Sequence, residues 1–411
     1  TIIINVLMRI LKEIAMPGFE WFGEEERKEV QDVLDTGVLS RYGFDQARKG
    51  HWKAKAFETE LSKRTGAAFS HLCGSGTAAL NIALAACGVG AGDEVIVPPF
   101  TFIATIESVL NAGAVPVFAE IDETLCLNPE TLEKVMTPRT KAVLPVHMCG
   151  TMARIDEIKD VCSRKSLVLI EDACQSLGAT FHGRHVGTFG LMGCFSFDSV
   201  KTITCGEGGG VITNDKELYR LADAFSDHGH DHIGNDRGLE NHFILGANYR
   251  ICELNAAVGL AQLRKLDIIL KKQRENKAVL KKALGQFPEI SFRQIPDESG
   301  DSATFLSFFL PDESRTRQIA TRLGQAGVDG CFYWFDNLWH YVRKWDHLKT
   351  LKSAARLPVT VLENCPDYRR LQVPESDRIM GRTLSMQIKL SWTAEELAQR
   401  IDKITSVFQG K

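Results

Sequence analysis

Residues 94–120 read EVIVPPFTFIATIESVLNAGAVPVFAE. Glu94 to Pro98 is an apolar run closed by proline, Thr101 to Ala112 carries helical spacing, and Val115 to Glu120 is apolar again. Two runs too short for helices, flanking one helical segment, predict a strand-helix-strand unit with parallel strands. The same alternation continues outward. Upstream, Ala78–Gly88 is a helix ending on glycine. Downstream come a short helix at Leu132–Met136, a strand at Ala142–Val146, a helix at Arg154–Ser166 and a strand at Leu167–Glu171. Gly193–Phe197 and Gly210–Thr213 complete the strand set. This order predicts an α/β fold, a large domain with a mostly parallel central sheet sandwiched by helices. Ala256–Leu284 reads as one long amphipathic helix leading out of it. Ala303–Leu310, Glu313–Ala326 and Gly330–Trp334 then give strand, helix and strand of a smaller C-terminal α/β domain. The expected division is an extension over 1–15, a large domain over 16–285 whose residues 16–60 contribute to the substrate site, and a small domain over 286–411.

Length and composition agree with this division. At 411 residues the chain has room for two or three domains, and its 44% hydrophobic and 25% charged shares are those of a globular protein. A net charge of −3 leaves no electrostatic footprint for nucleic acid. No apolar run approaches the length of a membrane span. Eleven cysteines, none in a C-x-x-C pair, argue for free thiols in a reducing cytoplasm and against a disulfide framework or a structural zinc site. Residues 1–15 are interrupted by Arg9, Lys12 and Glu13, lack a leading positive region, and read as an upstream extension, not a signal peptide. Gly88-Val89-Gly90-Ala91-Gly92 follows a helix and lacks the spacing of a dinucleotide fingerprint, which sets aside a nicotinamide enzyme.

The chemistry centres on Lys201, in SFDSVKT (196–202), just before the turn Gly206-Glu207-Gly208-Gly209-Gly210. Asp172 closes an earlier strand, and open α/β sheets bind ligands beyond the carboxyl ends of their strands. A lysine and an aspartate on either side of a pyridine ring are what pyridoxal 5'-phosphate needs. The lysine forms a Schiff base with the aldehyde, and the aspartate keeps the ring nitrogen protonated. Gly74-Ser75-Gly76-Thr77-Ala78 runs into a helix, whose first N–H groups favour an anion such as phosphate. Ser196 offers a hydroxyl to the same phosphate, and Phe102 follows another strand where it can cover a flat ring.

Five stretches jointly resemble the DegT/StrS sugar aminotransferases, fold-type-I pyridoxal phosphate enzymes. They are GSGTAAL (74–80), VPPFTFIAT (97–105), EDACQSLGA (171–179), CFSFDSVKTITCGEGGGVIT (194–213) and GANYRICELNAAVGLAQL (246–263). The resemblance makes Lys201 the Schiff-base lysine, Asp172 the partner of the pyridine nitrogen, Gln175 a hydrogen-bond partner of the ring hydroxyl oxygen and Phe102 the stacking residue. Gly76, Thr77 and Ser196 fall on phosphate positions. Asn248 matches an asparagine that reaches the phosphate of the neighbouring subunit, implying a homodimer with shared active sites. The family's dehydratase branch has histidine in place of the lysine, so Lys201 favours amino transfer.

Two segments depart from the family's nucleotide-sugar pattern. One is the basic stretch YGFDQARKGHWKAKA (42–56), following Arg41. The other is CFYWFDNLWHYVRKWDHLK (331–349), which stands where a short histidine-proline substrate segment is usual. With VHMCGTMARIDEIKD (146–160) and SDHGHDHIGNDRG (226–238), these resemble the branch forming 8-amino-3,8-dideoxy-manno-octulosonate. That implies L-glutamate as donor and a keto or aldehyde sugar acid as acceptor. Arg41, His228 and Arg343 are the expected substrate contacts. His228, His230 and His232 are expected in a loop near the cofactor, without a metal. The alternatives are a nucleotide-linked keto sugar as acceptor and a non-catalytic sugar-sensing regulator on the same fold.

Overall fold

The computed structural model describes residues 20–234, 236–363 and 365–410, so the expected extension over 1–15 lies outside the described residues. Helices α1 (Glu24–Thr36) and α2 (Lys53–Thr65) precede β1 (Phe69–Cys73). Then follow α3 (Gly76–Ala86), β2 (Glu94–Val97), α4 (Ala104–Asn111), β3 (Val115–Phe118), α5 (Pro129–Val135), β4 (Thr140–Val143), α6 (Ile155–Lys165) and β5 (Val168–Asp172). A small hairpin, β6 (Thr180–Phe181) and β7 (Arg184–His185), leads to β8 (Met192–Ser196), β9 (Gly209–Thr213) and α7 (Lys216–Phe225).

Seven strands form the central sheet in the order β1-β9-β8-β5-β4-β2-β3. Strand β9 runs antiparallel to both neighbours, and the pairs from β8 to β3 are parallel. The carboxyl ends of β1, β2, β5 and β8 therefore lie along one edge, the side on which such sheets bind ligands. Strand β1 escaped the periodicity reading because Ser70 and His71 interrupt its apolar pattern. Both are buried and bonded: Ser70 Oγ donates to the Glu58 carbonyl, and His71 Nε2 meets Ser226 Oγ at 2.6 Å.

The expected single helix over 256–284 is two helices, α8 (Glu253–Arg264) and α9 (Leu266–Leu284). The chain turns at Lys265, whose ammonium is held by the Trp21 carbonyl at 3.0 Å and by Glu26 at 2.8 Å. Helix α8 packs on α1 and α2, while α9 reaches the second sheet. That sheet has the order β10 (Ser291–Phe292), β11 (Phe305–Phe309), β13 (Thr383–Gln387), β12 (Cys331–Phe332), all antiparallel. Two of its covering helices are α10 (Glu313–Gln325) and α13 (Ala394–Phe408); the one-turn α11 (Asp346–Lys349) lies elsewhere, and α12 (Pro374–Gly381) packs Ile379 and Met380 into the core shared with the first sheet. Leu306, Phe308, Leu384 and Met386 of the second sheet pack on Ile319, Leu323 and Ile404.

Residues 342–363 and 365–373 do not stay with the second sheet. Val342, Trp345, Val359 and Tyr368 pack into the core of the first, with Val97, Val115 and Phe118. Tyr368 Oη donates to the Pro116 carbonyl at 2.9 Å. The chain thus returns over the large sheet after β12, a crossing that local sequence patterns do not encode. Among the described residues, no helix is long and apolar enough to cross a membrane.

Candidate active site

A cavity of about 1000 Å³ opens at the carboxyl ends of β1, β2, β5 and β8. Gly76, Thr77, Phe102, Asp172, Gln175, Ser196 and Lys201 all line it. They come from four loops spread over 126 positions, brought together because parallel strands deliver their carboxyl ends to one edge.

After β1 the chain passes straight into α3. Ser75 caps the helix, its hydroxyl accepting the Ala78 N–H at 3.0 Å. The turn is tight against β9: a Cβ on Gly209 would sit 2.2 Å from the Ser75 carbonyl oxygen. Glycine there lets the strand press the helix N-terminus toward Ser196. Asp172, 4% exposed, ends β5. Its Oδ1 accepts the Cys174 N–H at 3.1 Å and its Oδ2 accepts the Thr105 hydroxyl at 2.8 Å. The Gln175 carbonyl oxygen accepts the Cys149 N–H at 3.1 Å, so the group it presents to a ligand is its NH2.

Lys201 Nζ lies 3.6 Å from Asp198 Oδ2 and 6.0 Å from the centre of the Phe102 ring. Phe102 in turn has His340 at 5.5 Å and Trp339 at 6.3 Å between ring centres. These two belong to 331–349, which forms one wall of the cavity through Phe332, Trp334, Leu338, Trp339 and His340. The wall is tied to the loop after β2 by backbone bonds. Thr101 N–H donates to the His340 carbonyl, Ile103 N–H to that of Trp339, and Val342 N–H to that of Pro99, each at 3.0 Å. Burial, with the Lys201 charge beyond it, pushes the His340 imidazole down to about 4, so the ring is neutral near pH 7.

These groups fit pyridoxal phosphate. The buried carboxylate of Asp172, the amine of Lys201, and a glycine-tight helix N-terminus with Thr77 and Ser196 hydroxyls beside it supply a partner for each polar end of that cofactor. The chain belongs to the DegT/DnrJ/EryC1/StrS aminotransferase family. It matches that family over residues 21–405. The GDP-perosamine synthase of Vibrio cholerae is 36% identical over 286 residues, 69% of this chain and 73% of that protein. The spore coat polysaccharide biosynthesis protein SpsC of Bacillus subtilis is 32% identical over 395 residues, 94% of this chain and 95% of that one. Among solved structures, an aminotransferase from Psychrobacter cryohalolentis superposes with a TM-score of 0.81 at 28% identity, covering 95% of this chain and 98% of that one. A 3-amino-5-hydroxybenzoic acid synthase does so with 0.79 at 29% identity, covering 97% and 99%. This aminotransferase is a pyridoxal-phosphate-dependent enzyme acting on sugars or sugar-like compounds, which displaces the reading as a non-catalytic regulator.

Three expected substrate contacts of the aminotransferase lie away from the cavity. Arg41 is buried against Glu58 at 2.6 Å, with His71 Nδ1 at 3.2 Å. It follows α1 in sequence but points under β1, because the buried Glu58 carboxylate needs a cation. Arg343 lies over the Phe335 ring at 4.4 Å and lines a separate recess with Lys349, Tyr368 and Arg369. His228 is exposed in a left-handed backbone conformation. Its neighbours go elsewhere: His232 sits between Asp223 and Asp227 at 2.8 and 2.9 Å, and His230 meets Glu240 at 2.8 Å. The loop near the cofactor expected of these histidines is in this chain a largely buried ion-pair network beside β1, outside the chain's own cavity. Asn248 also lies outside the cavity of its own chain. It is exposed, and its Oδ1 accepts the Arg250 N–H at 3.2 Å.

The basic stretch after Arg41 is not a solvated helix. Arg48 is fully buried, with its Nε donating to the Gly43 carbonyl at 2.7 Å and its guanidinium 3.9 Å from the centre of the Trp52 ring. Lys53 is bonded to Glu29 and Asp32, each at 2.6 Å. Lys201 is then the one lysine or arginine among the described residues lining the cavity. Sequence reasoning missed Thr101, Thr105, Thr304 and Gln387 there. The i, i+4 spacing of Thr101 and Thr105 at a helix start was the one available signal for the first two.

Proposed function

We propose that this aminotransferase moves the amino group of L-glutamate to the aldehyde or ketone carbon of a sugar acid, forming 8-amino-3,8-dideoxy-manno-octulosonate for lipopolysaccharide. One observation carries the choice of acceptor. The segment that departs from the nucleotide-sugar pattern, 331–349, is the segment that walls the cavity.

When bound, pyridoxal phosphate supplies a carbonyl that exchanges the amino group and a ring that draws electrons from the carbon being deprotonated. The chain's own residues do the rest. Gly76 and Thr77 at the start of α3, with the Ser196 hydroxyl, hold the phosphate. Asp172 holds the proton on the ring nitrogen, the Gln175 NH2 donates to the ring hydroxyl oxygen, and Phe102 covers the ring face. Lys201 Nζ takes the proton from the α-carbon of glutamate, and in the second half-reaction delivers one to the sugar carbon that receives nitrogen. Asn248 serves the phosphate of a second copy of the chain, which makes the working unit a homodimer. Its exposure, and its place outside its own cavity, support that role.

A nucleotide-linked keto sugar is the second reading, favoured by the likeness to a GDP-perosamine synthase. Single-turnover reactions of enzyme loaded with pyridoxamine phosphate separate the two. The 8-oxo sugar acid should yield the 8-amino product by mass spectrometry, and a GDP-linked 4-keto sugar should react far more slowly. The reverse preference overturns the sugar-acid assignment and leaves the family activity standing.

A further inference from the structure

Thr101 and Thr105 line the cavity beside Asp172, and nothing above gives them a part in the chemistry. Thr105 Oγ lies 2.8 Å from Asp172 Oδ2, and Thr101 Oγ lies 2.7 Å from Thr105 Oγ. Both threonines are buried. A hydroxyl has one proton to give, and a carboxylate oxygen only accepts. Thr105 therefore donates to Asp172, and Thr101 must be the donor in the 2.7 Å contact. The chain runs one way, from Thr101 through Thr105 to Asp172, and successive bonds of this kind polarise one another.

Asp172 Oδ1 already accepts the Cys174 N–H. With Oδ2 taken by Thr105, the carboxylate plane cannot turn without breaking a bond. Thr101 is anchored in its turn, because its N–H donates to the His340 carbonyl at 3.0 Å. One ladder thus carries both the support for the buried acid and the wall that faces the substrate.

We propose that Thr105, backed by Thr101, is a positioning residue that aims the Asp172 carboxylate at the cofactor's ring nitrogen. The inference rests on the assignment of Asp172 to that ring and not on which sugar is the acceptor.

Thr105→Val keeps the shape and removes the hydroxyl. Thr101 then has the Phe102 carbonyl, 3.3 Å away, as an alternative acceptor, so no buried donor is stranded. Thr105→Ser restores the hydroxyl. Each change is made in the wild-type and Asp172→Asn backgrounds. Two quantities are read: the single-turnover rate of the glutamate half-reaction, and the Kd of pyridoxal phosphate for the apoprotein by fluorescence quenching. In the wild-type background, Thr105→Val should slow the half-reaction about tenfold, the size of one lost hydrogen bond to a charged group. It should also weaken cofactor binding, and Thr105→Ser should recover both. In the Asp172→Asn background the valine should add at most about twofold, because the two residues act as a unit. Equal losses in both backgrounds, or a Thr105→Val enzyme with wild-type rate and affinity beside an impaired Asp172→Asn, overturn the positioning role alone. A silent Asp172→Asn removes the reading of Asp172 and the positioning role with it.

Discussion

Gly76 and Ser196 meet so closely that a Cβ on the glycine would lie 2.7 Å from the serine Cβ and 3.1 Å from its Oγ. One residue starts α3 and the other ends β8, so the helix N-terminus and the hydroxyl form a single cradle. Gly76→Ala should force them apart. The expected result is a Kd for pyridoxal phosphate raised at least about tenfold and an overpacking cost of about 1–3 kcal/mol. Cofactor titration of the apoprotein and its thermal midpoint check both.

Lys201→Ala should leave the fold intact and remove most turnover. The side chain is largely buried, but among the described residues its one ion-pair partner within 4 Å is Asp198 at 3.6 Å, so its loss strands no tightly bonded acid. Circular dichroism should be unchanged, while single-turnover chemistry should fall by about two to four powers of ten, the range for a positioned acid–base group. Near-normal turnover would give the proton-transfer role to another residue.

Asn248 supplies a test of sharing between subunits. Lys201→Ala chains mixed with chains carrying an inactivating Asn248→Asp substitution should form some dimers with one site free of both lesions. Activity should reappear after subunit exchange, approaching about a quarter of wild type if chains pair at random and each site needs one residue from either copy. Exchange proven by mass spectrometry without recovered activity sinks the shared site.

Arg41→Ala should act on stability and not on substrate affinity. Removing it leaves the Glu58 carboxylate buried and short of its cation, a loss of about 3–5 kcal/mol. Arg343→Ala should leave the sugar KM unchanged, because Arg343 faces a different recess. Denaturant midpoints and sugar KM values for both variants decide this. A selective rise in sugar KM for either would return that arginine to the substrate site.

His232 should make stability fall on the alkaline side. Burial works against its charge, but the bonds to Asp223 and Asp227 outweigh burial and raise it to about 9. An unfolded histidine titrates near 6.5, as a general rule about model peptides. Between those values the folded chain binds the extra proton. The contribution is therefore complete below about pH 6.5 and is lost as pH rises through about 9, at most about 3 kcal/mol. His185 acts oppositely. Burial pushes it down to about 4, and its Nε2 accepts the Gly178 N–H, so it weakens the fold as pH falls from 6.5. Thermal midpoints of wild type and His232→Gln holoenzyme from pH 6 to 9.5 should converge as pH rises. A constant gap between the two curves would show that His232 is not the titrating group.

Much of this was legible in the chain itself. Short apolar runs alternating with helical spacing from 78 to 213 determined a mostly parallel sheet, because burial on both faces leaves strands too apolar and too brief for helices. Motif residues at strand ends come together because parallel strands put those ends on one edge: Gly76, Thr77, Phe102, Asp172, Gln175, Ser196 and Lys201 all line one cavity. Tertiary structure decided what depends on partners distant in sequence. Arg41, an expected substrate contact, is claimed inside the fold by Glu58, and Arg48 and Lys53 of the basic stretch after it by the Gly43 carbonyl and Glu29. The polar residues of β1 and β13 hid two strands, because their bonds, such as Ser307 to Ser385 at 2.7 Å, exist only once the strands pair. The path of 331–349 over the cavity was likewise settled by backbone bonds to 99–103, which carry no side-chain signature. Local patterns record what each segment buries; which groups meet there is fixed only when remote segments satisfy one another's charges and backbone bonds.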